Sequence, residues 1–160
     1  VAARADWGRE MPPHEGLGVA VGHGQERGMP TWVACVAHVA IDPSSGDISL
    51  KKLWQTIDVG TVVNPDGAMA QAEGAALWGV SLALHEGAAF AAGEVSEQNL
   101  DRYTPLRMSD VPDLDIKFVD STAFPSGLGE PPLIPVAPAI GNAVFAATGR
   151  RVRDLPIRLA

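Results

Sequence analysis

Cysteine is nearly absent: Cys35 stands alone among 160 residues, so no internal disulfide can staple the chain. The four histidines, His14, His23, His38 and His85, are scattered and give no Cys/His spacing of the kind that holds a structural zinc. Positive charge is also scarce, with 12 Lys and Arg against 19 Asp and Glu and a net charge of −7. Such a field repels phosphate backbones and anionic headgroups, which argues against nucleic acid as a partner. Polar residues or glycine interrupt every apolar stretch well before 18 residues, and no basic segment followed by an apolar core opens the chain, so neither a membrane span nor a signal peptide is legible. Disorder is excluded from the other side. Charged residues make up only 19% and hydrophobic ones 46%, the balance of a chain that buries a core.

What the chain has in excess is glycine and proline, 17 and 13 residues, well above the average share of roughly 12% for the two together. Turns and loops therefore carry much of the structure. The length predicts one structural unit. Val1 to Trp7 reads as the end of a helix without a capping residue in front of it, and the chain is expected to be a piece of a longer polypeptide.

Leu17 to Val21 and Thr31 to Asp42 read as strands from their apolar, β-branched content. Asp42-Pro43-Ser44-Ser45-Gly46-Asp47 is a turn cluster, which makes the second of these and the run Ile48 to Asp58 a β-hairpin. Asn64-Pro65-Asp66 starts a helix: an amide that caps free N–H groups, a proline at the first helical position, and an acid favoured by the dipole. The helix from Pro65 to Leu84 is apolar or small nearly all round, the pattern of a buried helix. Gly74 and Gly79 within it predict that another element approaches its backbone closely. Leu114 to Asp120 alternates as a strand, Ser121 to Pro135 is a loop, and Val136 to Thr148 is a second buried helix stopped by Gly149. The predicted class is α+β, with a β-hairpin and additional strands packed with two buried helices.

The loop from Pro125 to Pro132, PSGLGEPP, is the most informative segment. Glu130 sits between a glycine and two prolines, free before and stiff after, and the residue ahead of a proline is biased toward extended geometry. By spacing alone it is either a held functional carboxylate or a solvated turn acid. Glu73 reads as a bracing or paired acid. Trp7, Trp32, Trp54 and Trp78 do not alternate with basic residues and read as core and interface filling. His23, between two glycines at a predicted strand end, reads as a loop histidine, and Cys35, between Ala34 and Val36, as an inert buried thiol.

Taken in order, a strand ending in Asp42, the turn, a strand running into Asp58-Val59-Gly60, then Asn64-Pro65, Gln71-Ala72-Glu73-Gly74 and finally Gly127-Leu128-Gly129-Glu130-Pro131-Pro132 form a pattern that resembles the C-terminal part of the molybdenum hydroxylase large subunit, the xanthine dehydrogenase and aldehyde oxidase family. The likeness spans roughly Trp7 to Pro156. The ending Ala146-Ala147-Thr148-Gly149-Arg150-Arg151 and Leu155-Pro156 is similar to the bacterial isoquinoline oxidoreductase type. Ala70 stands where the pattern has a glycine.

The resemblance implies that residues 1–160 are a C-terminal fragment of a molybdopterin-binding domain and one wall of its cofactor cleft. It implies a hydroxylation of a small aldehyde or N-heterocycle with water as the oxygen source, Glu130 being the general base at a molybdenum-bound hydroxyl, with Gln71 and Gly129 against the cofactor and no residue of this chain ligating the metal directly. The implied cofactor is a molybdopterin, of the cytosine dinucleotide form, carrying molybdenum. The implied partners are the remainder of the large subunit and an iron–sulfur small subunit with [2Fe-2S] clusters. The competing expectation is a non-catalytic cofactor-binding or scaffold domain of the same fold, in which Glu130 is only a loop acid.

Overall fold

The computed structural model describes residues 1–26 and 28–159. Six strands and two helices follow one another as β1 (Glu15–Glu26), β2 (Met29–Ile41), β3 (Ile48–Asp58), α1 (Pro65–Leu84), β4 (Phe90–Ala91), β5 (Glu94–Val95), β6 (Asp113–Phe118) and α2 (Val136–Thr148), with 3₁₀ turns at Met108–Asp110 and Pro131–Leu133. The main sheet has the order β1-β2-β3-β6, antiparallel except for the parallel pair β3–β6; β4 and β5 form a separate short hairpin. The mixed α+β class and the predicted hairpin are both present.

The hairpin turn follows from its residues. Asp42 Oδ1 accepts from the N–H groups of Ser44 at 2.8 Å and Ser45 at 3.2 Å, and Gly46 takes the left-handed conformation (φ +78°) that closes it. The Ser44 hydroxyl, which donates to the same oxygen at 2.6 Å, and these N–H groups after it hold the Asp42 carboxyl below its ordinary range. At the start of α1, Asn64 Oδ1 accepts from Gly67 N–H at 3.1 Å and Pro65 begins the helix, as its capping residues dictate.

Alternation sends Val33, Cys35, Ala37 and Val39 of β2 and Leu53, Gln55 and Ile57 of β3 to one face, all buried under the helices. The second helix contributes Val136, Ala139, Ile140, Ala143 and Val144, the spacing of a single stripe. Its window Pro131–Thr148 is long and apolar enough to cross a membrane by length and composition, but half of it is buried within this fold. On the other sheet face, Val36, Trp54 and Leu17 form a smaller cluster with Ala5.

Several expectations need correction. Residues 1–7 form turns rather than a helix end; only Ala5 N–H to Val1 carbonyl spans four residues, and Arg4 pins the segment to the sheet through Asp115, the Gln55 carbonyl and Thr56. The first strand runs well past Val21, because Gly22 and Gly24 are not a strand end. Gly16, Gly18, Gly22 and Gly24 alternate along β1 on the face toward α2 and the 131–133 turn. A Cβ at Gly18 would fall inside the backbone of Ala139 and Ala143, one at Gly22 would lie 2.8 Å from Ile134, and one at Gly24 would lie 2.8 Å from Pro131. The missing side chains let the helix backbone lie directly on the strand.

Both helices pack against the sheet, but burial of α1 is confined to Ala72, Ala75, Ala76, Gly79, Val80, Ser81, Ala83 and Leu84. The opposite face, Ala70, Gln71, Gly74 and Trp78, is open. Close approach holds at Gly79, where a Cβ would meet Val136 at 2.8 Å, and fails at Gly74, which has nothing within 4 Å. Of the four tryptophans Trp54 is buried, while Trp7, Trp32 and Trp78 are exposed.

Candidate functional site

The loop from Ser121 to Glu130 is tied down at its start by the end of β3. Gly60 adopts φ +70°, and a Cβ there would collide with the Phe124 carbonyl. The tight Asp58-Val59-Gly60 turn, with Gly60 N–H donating to Asp58 Oδ1 at 3.2 Å, lets the two chains run together: Thr61 N–H donates to the Ala123 carbonyl at 2.9 Å and Ser126 N–H to the Val59 carbonyl at 3.0 Å. From β2, buried Thr31 bonds Ser126 Oγ at 2.7 Å and donates to the Gly127 carbonyl. A buried hydroxyl satisfied in this way fixes the loop it touches.

The predicted site residues Gln71, Gly129 and Glu130 come together. The Gln71 side chain, on the open face of α1, donates from Nε2 to the Gly129 carbonyl at 3.0 Å. Glu130 follows at once, exposed, as the residue before the 3₁₀ turn Pro131–Leu133. Its backbone is helical (φ −97°, ψ −23°) rather than extended. The preference imposed by the following proline is overridden because its carbonyl accepts the Leu133 N–H at 2.9 Å and closes the turn. Pro131 and Pro132 are buried beneath it, so the carboxylate projects from a stiff and anchored base.

Glu73 is exposed on α1 and makes no ion pair among the described residues. His23 lies inside β1 rather than in a loop, its ring 4.7 Å from that of Trp32. Cys35 is fully buried, and burial pushes its thiol up to about 12, against a smaller opposing effect of hydrogen bonding with Gln55; it stays a neutral thiol. Among the described residues no three of His, Cys, Asp and Glu converge as metal ligands. A cleft of about 680 Å³ at the other end of β3, lined by Lys51, His85, Asp110 and Arg158 among others, contains none of the site residues.

Two buried residues that the sequence did not mark serve the same loop. One is Thr31; the other is Gln55, whose Nε2 donates to the Pro132 carbonyl at 2.6 Å. Their signal was a polar residue on the inward phase of an otherwise apolar strand.

The chain is similar to several known proteins. Residues 8–112 match the family model described as molybdopterin cofactor-binding domain. The chain is 51% identical over 158 residues to a membrane-bound aldehyde dehydrogenase [pyrroloquinoline-quinone] of Gluconacetobacter polyoxogenes, covering 98% of this chain and 20% of that protein. It is 36% identical over 160 residues to isoquinoline 1-oxidoreductase subunit beta of Brevundimonas diminuta, covering all of this chain and 20% of that subunit. Among solved structures, aldehyde oxidoreductase from Desulfovibrio gigas superposes with a TM-score of 0.69 at 26% identity over 84% of this chain and 16% of that one. Quinoline 2-oxidoreductase from Pseudomonas putida 86 superposes with a TM-score of 0.71 at 24% identity over 75% of this chain and 16% of that one, a likeness of fold. The chain thus spans about a fifth of the length of these relatives.

Proposed function

Since the chain belongs to the molybdopterin cofactor-binding domain family, we propose that it forms one wall of the cofactor cleft in a molybdenum hydroxylase, as the C-terminal part of that domain, and that Glu130 is the general base. The observation that carries this reading is the convergence of Gln71, Gly129 and Glu130 on one edge through the 3.0 Å hydrogen bond from Gln71 to Gly129.

The residues present fit such a cofactor in type. Gln71 is exposed and spends its Nε2 on Gly129, which leaves its carbonyl oxygen to accept from a pterin edge. Next to it, Gly74 offers helix backbone with nothing above it, where a flat group can lie close. When bound, a molybdopterin supplies the two-electron acceptor. The overall change would then be R–H plus water giving R–OH, two protons and two electrons, and [2Fe-2S] clusters on a partner subunit would be the onward electron acceptor. Within it Glu130 removes the proton from the attacking oxygen, a role worth typically 10²- to 10⁴-fold in rate for a positioned base. Its stiff mounting on Pro131-Pro132 keeps the carboxylate in place between turnovers. The cytosine dinucleotide form of the cofactor, and small aldehydes or N-heterocycles as substrates, complete the proposal.

A second reading is favoured by one observation: the relative of 51% identity carries pyrroloquinoline-quinone in its name. Metal dependence separates the two. Full-length protein from cells grown on molybdate should hold molybdenum and oxidise aldehydes or N-heterocycles, and protein from tungstate-grown cells should lose that activity. Activity independent of molybdenum, with an extractable quinone, would contradict the proposal.

A further inference from the structure

The 3₁₀ turn that carries Glu130 has a gap in its hydrogen bonding. The carbonyls of Glu130 and Pro131 accept the N–H groups of Leu133 at 2.9 Å and Ile134 at 3.2 Å, each three residues on. The next carbonyl, Pro132, would look to residue 135, which is proline and has no N–H. That carbonyl is turned into the protein, where an unpaired acceptor is costly. Gln55 fills the gap, donating from Nε2 at 2.6 Å.

The cost of having Gln55 there is visible. Its side chain is fully buried, and its own Oε1 has no hydrogen-bond partner. Its strand neighbours on the same face are Cys35 and Ile116, an apolar setting in which leucine or methionine would pack without an orphaned oxygen. A residue kept half-satisfied in a core needs a gain elsewhere: apart from the weak interaction with the Cys35 thiol opposite it, the side-chain hydrogen bond Gln55 makes among the described residues is to the turn beneath Glu130. Its position is itself fixed, because the Gln55 backbone is in the sheet ladder and its carbonyl takes the Arg4 guanidinium.

We infer that Gln55 is a positioning residue for Glu130: it anchors the Pro132 carbonyl and so sets the direction of the carboxylate one turn away. Gln71 holds the carbonyl just before Glu130 and Gln55 the carbonyl two residues after it, so the carboxylate is clamped from both sides of the chain. The inference rests on the reading of Glu130 as base. Misplacement by about 1 Å can lower a rate up to roughly 10²-fold, so loss of one of two anchors should cost about tenfold.

The test uses the full-length protein with its cofactor bound. Gln55→Met keeps the side-chain volume and removes the donor. We expect unchanged molybdenum content, a kcat about tenfold lower and a KM within about twofold. In the Glu130→Gln background Gln55→Met should have no further effect, since the two act through one carboxylate. Pro135→Ala supplies the missing N–H three residues after Pro132, and the Gln55→Met/Pro135→Ala protein should recover to within about threefold of Pro135→Ala alone. A Gln55→Met kcat per molybdenum near that of the parent, alongside an inactive Glu130→Gln, overturns the positioning role and leaves the base intact. An active Glu130→Gln overturns both. If Gln55→Met fails to fold or to take up molybdenum and Pro135→Ala does not restore it, Gln55 is purely structural and the inference is wrong.

Discussion

Replacing Gly18 by alanine adds a single methyl group where the structure has no room for it. The Cβ would lie inside the backbone of Ala139 and Ala143, and helix backbone cannot step aside as a side-chain tip can. To restore contact distance α2 must lift by on the order of 1 Å, and a gap of that size forfeits a quarter to a half of the dispersion energy of the atoms facing it. The atoms concerned belong to Ala139, Ile140, Ala143 and Val144, all fully buried. Overpacking of this kind costs typically 1 to 3 kcal/mol, and with rigid backbone on one side Gly18→Ala should reach about 3 kcal/mol. Gly22→Ala meets side chains rather than helix backbone, Ile134 at 2.8 Å and Pro135 at 3.5 Å, and should cost about 1 kcal/mol. Gly74→Ala, open to solvent on α1 with nothing within 4 Å, should stabilise by roughly 0.5 to 1 kcal/mol, because alanine is the better helix former. Urea unfolding of the three variants, followed by circular dichroism, reads the order. A Gly18→Ala protein within about 0.5 kcal/mol of the parent, or a Gly74→Ala as damaged as Gly18→Ala, would refute the packing of α2 on β1 described above.

The Asn64 cap should contribute about 1 kcal/mol, so Asn64→Ala is expected to lower the urea midpoint without changing the slope. Cys35 has a thiol pushed from 9.0 up to about 12; the folded state therefore favours the neutral form, and this contribution is complete below about pH 9 and lost as pH rises toward 12. Between those limits the parent should lose up to about 1.4 kcal/mol per pH unit relative to Cys35→Ala, measured as the difference between their alkaline unfolding curves, and equal slopes would count against it. Gln71→Ala removes an exposed hydrogen bond, so stability should change by no more than about 0.5 kcal/mol, while molybdenum retention or turnover of the full-length protein falls severalfold; no change in either would detach Gln71 from the cofactor.

Both helices, their caps and the hairpin turn were legible because each is announced locally, by Asn64-Pro65, by Gly149 and by Asp42 to Asp47. The extent of β1 was not. Glycine in a strand usually signals an end, and its alternative meaning, close backbone approach, depends on an α2 more than a hundred residues away. The same blindness misjudged Gly74, which reads like Gly79 in sequence; only packing separates Gly79 against Val136 from Gly74 in solvent. Among site residues, Glu130 drew notice through its glycine and proline neighbours, while its role and that of Gln71 came only from the family resemblance of their strings. Thr31 and Gln55 did not, because each is a single polar residue whose partner lies in a distant loop.

The most direct test of the account is the turnover of Glu130→Gln per bound molybdenum in the full-length protein. The amide keeps the size of the side chain and its place ahead of Pro131 but cannot accept the proton. Steady-state kinetics and metal analysis on one preparation should show full molybdenum loading with turnover reduced by at least roughly 10²-fold. Turnover within about twofold of the parent at full loading would make Glu130 a solvated turn acid and remove the base from the mechanism.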